Sequence, residues 1–195
     1  MRHLTLSALL LLAAGSIAMA QPAPGRGGPR PPPLMLSSPA FQDGGVVPDK
    51  YTAAAGQSAV TPPLAWTNIP ATAQSLVLIV HDVDVVMQRG LGDNPHWVVF
   101  NIPATTTSLA EGQPATATLP DGAVQMSRPG RGGAPATAGY FPFAPPPGFV
   151  HHYDFDLYAL DTKLPLDTNA TRAEIEGAMA GHVVGKAVLQ TRFKR

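Results

Sequence analysis

The sequence predicts a mainly β fold, a two-sheet antiparallel β-sandwich with a few peripheral helices, one of them a C-terminal helix near residues 171–182. Three observations support this fold class. Apolar segments of strand length recur along the chain, and only one segment has clear helical spacing. The 22 prolines and 19 glycines cluster between these segments, as expected where turns separate short strands. Several strands with one late helix favour packed sheets with the helix at the periphery.

Four segments have the length and pattern of strands. Residues 76–80 and 96–102 are continuous apolar runs, which predicts buried central strands. Residues 153–160 begin with alternation, with apolar side chains on one face and aspartates on the other. Residues 183–193 form a further strand candidate near the end of the chain. Together these segments would supply the centre of one sheet.

The helix is predicted by its capping residues and its spacing. Thr171 and Glu174 form a capping box, in which each side chain satisfies a backbone amide that the first turn leaves without a partner. The residues that follow at helical spacing and share one face are Ile175, Ala178, Met179 and His182. His182 is therefore expected to pack on the apolar face of this helix, with a place on the rim of a site as the alternative.

The N-terminus is typical of a signal peptide over residues 1–20. An apolar run over residues 4–18 follows Arg2, and Ala18-Met19-Ala20 matches the small-residue pattern that signal peptidases cleave. The run is shorter than the roughly 20 residues that span a bilayer, so no membrane span is expected in the mature chain. We predict export to the periplasm or secretion, with an uncleaved anchor as the alternative.

Residues 21–33 are almost entirely Pro, Gly and Arg, which predicts a disordered linker, and the folded domain is predicted over residues 34–195. The chain has no cysteine, which excludes disulfides, thiolate metal sites and lipid attachment through a cysteine. Basic and acidic residues number 13 each, so no excess of positive charge indicates a nucleic-acid partner.

Polar, ionisable residues lie at the ends of the predicted strands. Asp82 and Asp84 follow the first apolar run and, in an extended strand, would share a face that His81 does not. Two such carboxylates are costly at the end of a core strand unless they are hydrogen-bonded or paired with a cation. From the residues alone, the alternative is the solvated start of a loop.

Histidines occur at two further strand ends. His96 opens the second apolar run, while His151 and Tyr153 share a face that His152 does not. A rigid loop with three prolines, beginning at Pro145, precedes them. Taken singly, the first histidine is more often a packed structural residue, and the loop is more often a surface turn.

Taken together, these segments resemble motifs of the bacterial phosphatidylethanolamine-binding proteins, also called Raf-kinase-inhibitor-like proteins. The segments that carry the resemblance, in chain order, are LSSPAFQDG at 36–44, PPLAW at 62–66, SLVLIVHDVD at 75–84, HWVVFNIP at 96–103, and GY at 139–140 with PPPG at 145–148 and HHY at 151–153. The resemblance extends from about residue 34 to the end of the chain.

This resemblance implies a non-enzymatic protein with no cofactor and a small, polar, preformed anion pocket. The residues implied for that pocket are Asp82, His96, His151 and Tyr153, with Pro145 as a wall and Asp84 as a supporter. Imidazole N–H and phenol O–H groups can donate to phosphate oxygens. A nearby carboxylate can orient a histidine and hold it protonated. The implied partner is a small anionic ligand or a phospholipid head group.

The sequence departs from the family's motifs at three places. One is the segment over residues 127–138, which is rich in Gly, Ala and Pro where the family often carries polar residues on the pocket rim. Valines occupy positions 83, 85 and 86, where the family has Asp-Pro-Asp-Ala-Pro around the two aspartates. Phe141 and Phe143 precede the proline loop and are expected to be exposed at the pocket mouth.

Two other functions remain open at this point. An exported interaction or inhibitor module would use exposed Phe141 and Phe143 as interface anchors. A metal-dependent hydrolase would use as ligands the side chains of Asp82, Asp84, His96 and His151. No His-x-x-x-His pattern supports the hydrolase, and no nucleophile elbow or Walker loop is present.

Overall fold

The computed structural model describes residues 31–86, 92–130 and 135–195. The predicted signal peptide and most of the predicted linker lie outside the described residues, so both stay predictions. Residues 31–33 are exposed and carry no regular structure, and the first buried side chain is Leu34.

Eleven strands, one α-helix and two 3₁₀ segments make up the described part of the chain. In chain order they are β1 Met35–Ser37, β2 Gly45–Val46, the 3₁₀ segments Asp49–Tyr51 and Ala53–Ser58, β3 Leu64–Thr67, β4 Ser75–Asp82, β5 Asn94–Pro103, β6 Ser108–Leu109, β7 Val124–Gln125, β8 Ser127–Arg128, β9 Thr137–Ala138, β10 Val150–Leu160, α1 Arg172–Met179 and β11 Val183–Lys194.

The predicted mainly β fold is confirmed. A six-stranded sheet has the order β2-β11-β10-β4-β5-β7, and a three-stranded sheet has the order β1-β3-β6. The four segments predicted as strands form β4, β5, β10 and β11, the long neighbouring strands of the larger sheet. These four pair antiparallel, whereas the short β2 pairs parallel with β11. Strands β8 and β9 pair antiparallel as a separate two-stranded sheet.

The main core lies on the inner face of the six-stranded sheet, against the three-stranded sheet. Alternation in the strands builds this face, because every second residue of β10 from His151 to Ala159 is buried, as is every second residue of β11 from Ala187 to Phe193. The large side chains that fill the space between the sheets include Trp66, Trp97, Phe143, Phe155 and Tyr51.

The outer face of the same sheet is partly covered by α1 and by residues 161–170. Val77 and Ile79 of β4 pack there against Ile175 and Met179 of the helix. Consequently all eight residues of β4 are buried, which explains why its sequence is a continuous apolar run and does not alternate.

The capping box at the start of α1 is confirmed, with Thr171 and Glu174 each bonding the other's backbone amide. The helix ends at Met179, earlier than predicted, before Gly181 turns the chain with a φ of 83°. His182 therefore lies beyond the helix, exposed and 2.8 Å from an Asp161 carboxylate oxygen through its Nδ1 atom. The expectation that His182 packs on the apolar helix face is wrong. Within the described residues, no helix has both the length and the apolar character needed to cross a membrane.

Candidate functional site

A pocket of about 660 Å³ lies where β4 ends and where β5 and β10 begin. Antiparallel pairing brings these termini together, since Asp82 lies opposite both Asn94 of β5 and Tyr153 of β10. The polar residues of the lining are Asp82, Asn94, His96, Arg128, Thr137 and His151. The apolar remainder includes Val85, Phe141, Pro142, Ala144 and Pro146. The pocket is thus larger and less polar than the sequence predicted.

Asp82 and His151 form a buried pair in the pocket wall. The Asp82 Oδ2 atom is 2.8 Å from His151 Nδ1, and the two residues are 3% and 8% exposed. The other carboxylate oxygen of Asp82 accepts a hydrogen bond from the Asp84 amide at 3.0 Å. Because a carboxylate only accepts, His151 must donate from Nδ1, which orients the ring and leaves Nε2 not engaged by Asp82.

His96 is a neutral member of the site. Its Nδ1 atom lies 2.7 Å from the Phe141 carbonyl, to which it donates, and its Nε2 atom lies 3.1 Å from the Asn94 side-chain amide, from which it accepts. Burial lowers the pKa of His96 to about 4, outweighing the hydrogen bond to Phe141. The ring therefore carries no charge at neutral pH and acts through its hydrogen bonds and its packing.

Arg128 brings a permanent positive charge to the pocket. One guanidinium nitrogen donates to the Pro95 carbonyl at 2.9 Å and another to the Asn94 side-chain oxygen at 3.1 Å. The guanidinium lies 4.5 Å from the centre of the Phe141 ring, a cation–π contact that helps to fix its plane. The sequence analysis missed Arg128, because the surrounding segment was treated only as rich in Gly, Ala and Pro.

Tyr153 lies behind the pocket wall and is not part of its surface. The residue is fully buried, and its ring stacks on Phe143 with centroids 3.8 Å apart. Its hydroxyl is buried without a hydrogen-bond partner among the described residues. Burial raises the pKa of Tyr153, and the nearby Asp82 charge raises it further. The phenol is therefore a protonated donor beside the carboxylate.

Besides Tyr153, two other residues predicted for the site, Asp84 and Pro145, lie outside the pocket lining. Strand β4 ends at Asp82, so Asp84 does not continue its alternation. Asp84 instead accepts hydrogen bonds from the His152 backbone at 2.6 Å and from its ring at 2.9 Å. Pro145 is buried, whereas its neighbour Pro146 lines the pocket. The two aspartates therefore do not share a strand face, and the roles predicted for Asp84 and Pro145 toward a ligand stay predictions.

The two phenylalanines near the proline loop are also not the exposed pair that was predicted. Phe143 is fully buried against Tyr153, and Phe141 is partly buried in the pocket lining. Phe149, one residue after the loop, is the exposed aromatic, at 65%. Local sequence did not distinguish them, since all three lie in the same proline-rich segment, residues 141–149.

His81 faces the opposite side of the sheet from the pocket, as predicted. Its Nδ1 atom is 2.6 Å from an Asp93 carboxylate oxygen, and its Nε2 atom is 3.7 Å from Asp156. Burial opposes protonation of His81, but the Asp156 and Asp93 carboxylates outweigh it and raise its pKa. Charged groups on the outer face of β4 are thus separated by the sheet from those in the pocket.

Fold and site together define a class of protein: a β-sandwich with a preformed pocket of mixed polarity at the ends of its central strands. The family model for phosphatidylethanolamine-binding protein matches residues 37–194. Because that match covers most of the chain, the chain belongs to the phosphatidylethanolamine-binding protein family.

Individual proteins show the same relationship. The chain is similar to a UPF0098 protein of Methanothermobacter thermautotrophicus, with 41% identity over 83% of this chain and 99% of the relative. It is 36% identical, over 85% of its length and 75% of the relative, to the Mycobacterium tuberculosis protein LppC, which is named as a lipoprotein.

Solved structures agree. A phosphatidylethanolamine-binding protein homologue from Chlamydia trachomatis superposes with a TM-score of 0.70 at 35% identity, covering 84% of this chain and 98% of the other. Escherichia coli YbcL, a member of the same family, gives a TM-score of 0.69 at 26% identity, covering 83% of this chain and 98% of the other.

Proposed function

We propose that this protein binds, without catalysing a reaction, a small ligand that carries a phosphate or another anionic group, such as a phospholipid head group. The observation that carries the proposal is the convergence of the Arg128 guanidinium and the Asp82–His151 pair on one pocket. The planar fork of an arginine matches the oxygens of a phosphate group. The oriented His151 ring adds a second nitrogen for the ligand.

The carboxylate of Asp82 does not defeat anion binding, because both of its oxygens are engaged by groups of this chain. The bond from His151 holds that ring in a fixed orientation in the pocket wall. The apolar part of the lining, from Val85 and Phe141 to Pro146, leaves room for an organic substituent beside the anionic group. A volume of about 660 Å³ fits that class of ligand better than inorganic phosphate alone.

Two features of the pocket lining favour a binding role over catalysis: the position of its one described hydroxyl and the arrangement of its acidic and histidine side chains. The one hydroxyl among the described lining residues belongs to Thr137, which makes no hydrogen bond with His96 or His151. A hydroxyl nucleophile needs a base within hydrogen-bond reach. In the part of the chain that the structure describes, no three acidic or histidine side chains converge as metal ligands. On these grounds we favour binding over the hydrolase alternative.

The interaction-module alternative also loses its original support, since Phe143 is buried and Phe141 lines the pocket. We further propose that the chain belongs to the bacterial Raf-kinase-inhibitor-like branch of its family and works in the periplasm or after secretion. The motif spacing between residues 36 and 153 supports the branch. The apolar N-terminus supports export, as does similarity to LppC, which is named as a lipoprotein.

The test is calorimetric titration with phosphoethanolamine, inorganic phosphate and zinc. Histidines 151 and 152 give a matched pair of variants, because the first lines the pocket and the second bonds Asp84 outside it. We expect His151→Gln and Arg128→Gln each to weaken phosphoethanolamine binding at least ten-fold, since charge-assisted hydrogen bonds are lost. We expect His152→Gln to leave it unchanged.

Two results would overturn the proposal. Equal binding by all three variants would place the anion elsewhere on the protein. Tight zinc binding that His151→Gln abolishes, with no anion binding in the metal-free protein, would establish the metal reading instead. Unchanged thermal unfolding of each variant serves as the folding control.

A further inference from the structure

One corner of the six-stranded sheet exposes apolar side chains among basic ones. Phe149 and Val150, where β10 begins, are 65% and 45% exposed, and Val46 of β2 is 62% exposed. In the strand register Val150 lies opposite Lys194, and directly opposed side chains have Cβ atoms about 5 Å apart. We call this corner the basic apolar edge, formed by Val46, Phe149, Val150, Arg192, Lys194 and Arg195.

The basic side chains of this edge have no acidic partner at ion-pair distance among the described residues. Arg192, Lys194 and Arg195 are exposed, and none of them forms an ion pair with another described residue. The Asp84 carboxylate accepts hydrogen bonds from His152, and the Asp43 carboxylate accepts one from the Gln190 backbone amide. The exposed apolar side chains therefore lie among three basic side chains that are available to an anionic surface.

The edge lies at the same end of the sheet as the pocket. Val150 and His151 are consecutive, with Val150 on the exposed outer face and His151 in the pocket lining. The chain leaving β4 adds two exposed valines at this end, Val83 at 41% and Val86 at 70%, and the Val83 amide bonds the His152 carbonyl. A surface that covered the edge would thus meet the protein beside the pocket.

We propose that the basic apolar edge docks on a lipid bilayer that contains anionic lipids, with Phe149 inserted at the level of the head groups. Exposed aromatic and aliphatic side chains combined with lysine and arginine favour such an interface, because apolar insertion adds to attraction by the anionic surface. A protein partner would fit less well, since lysine is depleted at the centre of protein interfaces, whereas Lys194 faces Val150 within this edge. The docking does not require an occupied pocket.

The experiment places a fluorescent reporter at the edge of the full chain. The native Trp66 and Trp97 are 2% and 1% exposed, so lipid quenchers hardly reach them. We expect Phe149→Trp fluorescence to be blue-shifted and quenched by vesicles of phosphatidylglycerol with dibrominated phosphatidylcholine. Val188→Trp, on the same outer face at 47% exposure but away from the edge, is the matched control and is expected to be quenched little.

A second set of variants tests the contribution of the basic side chains to vesicle binding. In the Phe149→Trp background, we expect Lys194→Gln and Arg195→Gln each to weaken vesicle binding about five-fold at low salt. Quenching of Phe149→Trp no greater than that of Val188→Trp would overturn the proposal, even if the apolar N-terminus held the chain on the vesicles. Equal quenching on vesicles without phosphatidylglycerol would overturn its electrostatic part. Recruitment of a protein that protects Phe149→Trp from aqueous iodide, without lipid quenching, would show a protein interface.

Phosphoethanolamine titration of the same variants separates this inference from the proposed function. Intact ligand binding without lipid quenching would overturn only the docking of the edge. Lipid quenching without ligand binding in the unmodified chain would overturn only the pocket.

Discussion

His96 makes the stability of the fold depend on pH in a way that the structure quantifies. Burial lowers its pKa from 6.5 to about 4 in the folded state. Between pH 6.5 and pH 4, His96 is therefore protonated in the unfolded chain but neutral in the folded chain. Because protonation favours the unfolded state, the free energy of unfolding falls as the pH drops toward 4. The difference in pKa corresponds to about 3 kcal/mol of lost stability between pH 7 and pH 4.

The contacts around the His96 ring explain why its pKa is lowered in the folded protein. Protonation at Nε2 would direct an N–H toward the Asn94 side-chain amide, which now donates to that nitrogen. Asn94 cannot simply reverse its amide, because its oxygen accepts from Arg128. The ring is also packed edge-on against Phe143 and Tyr153, at 5.1 and 5.3 Å between centroids. His96 is only 5% exposed, so water solvates an imidazolium there poorly.

Urea unfolding followed by tryptophan fluorescence at pH 7, 5 and 4 measures this effect. His96→Gln removes the titrating group, so its free energy of unfolding should fall by about 3 kcal/mol less than that of the unmodified chain over this range. His81, whose pKa is raised, has the opposite sign: it stabilises below its unfolded pKa, and this stability is lost as the pH rises through its folded pKa. Its contribution is common to both proteins and cancels in the difference. Parallel pH profiles, or a His96 resonance that titrates near pH 6.5, would refute the reasoning.

Two further predictions concern the core beneath the pocket and the helix cap. Phe143→Ala should destabilise the protein by about 3–5 kcal/mol, because it removes a fully buried ring that stacks on Tyr153. Urea unfolding should show no comparable loss for Phe149→Ala, whose side chain is 65% exposed. Equal losses of unfolding free energy would contradict the assigned burial. Thr171→Ala should lower the free energy of unfolding by about 1 kcal/mol, because it removes the N-cap of α1. Thr171→Ser keeps the hydroxyl and should lower it much less. Thermal unfolding that ranks the two variants the other way would argue against the cap.

Because His96 is neutral, it and Arg128 have different roles in the candidate site. His96 carries no charge at neutral pH, and its two ring nitrogens bond groups of this chain. Positive charge in the pocket is therefore supplied by Arg128 at every physiological pH. Substitution of Arg128 accordingly tests the charge of the pocket, whereas substitution of His96 tests mainly its shape.

The sequence by itself determined the long strands, the helix cap and the family motifs, because these depend on neighbours in the chain. Hydrophobic runs identified β4 and β5, and Thr171 with Glu174 identified the start of α1. The same local patterns placed Asp82, His96 and His151 at strand ends, and antiparallel pairing then brought those ends together. Local spacing is sufficient where a side chain's direction follows from a regular strand.

Only the tertiary structure decided which side chains outside the four long strands reach the pocket. Asp84 bonds His152 because β4 stops at Asp82, and buried Pro145 is followed directly by pocket-lining Pro146. Arg128 enters the site through contacts with Asn94, Pro95 and Phe141, which are distant in sequence. Loop direction is set by long-range packing and hydrogen bonds, and no periodicity in the sequence encodes it.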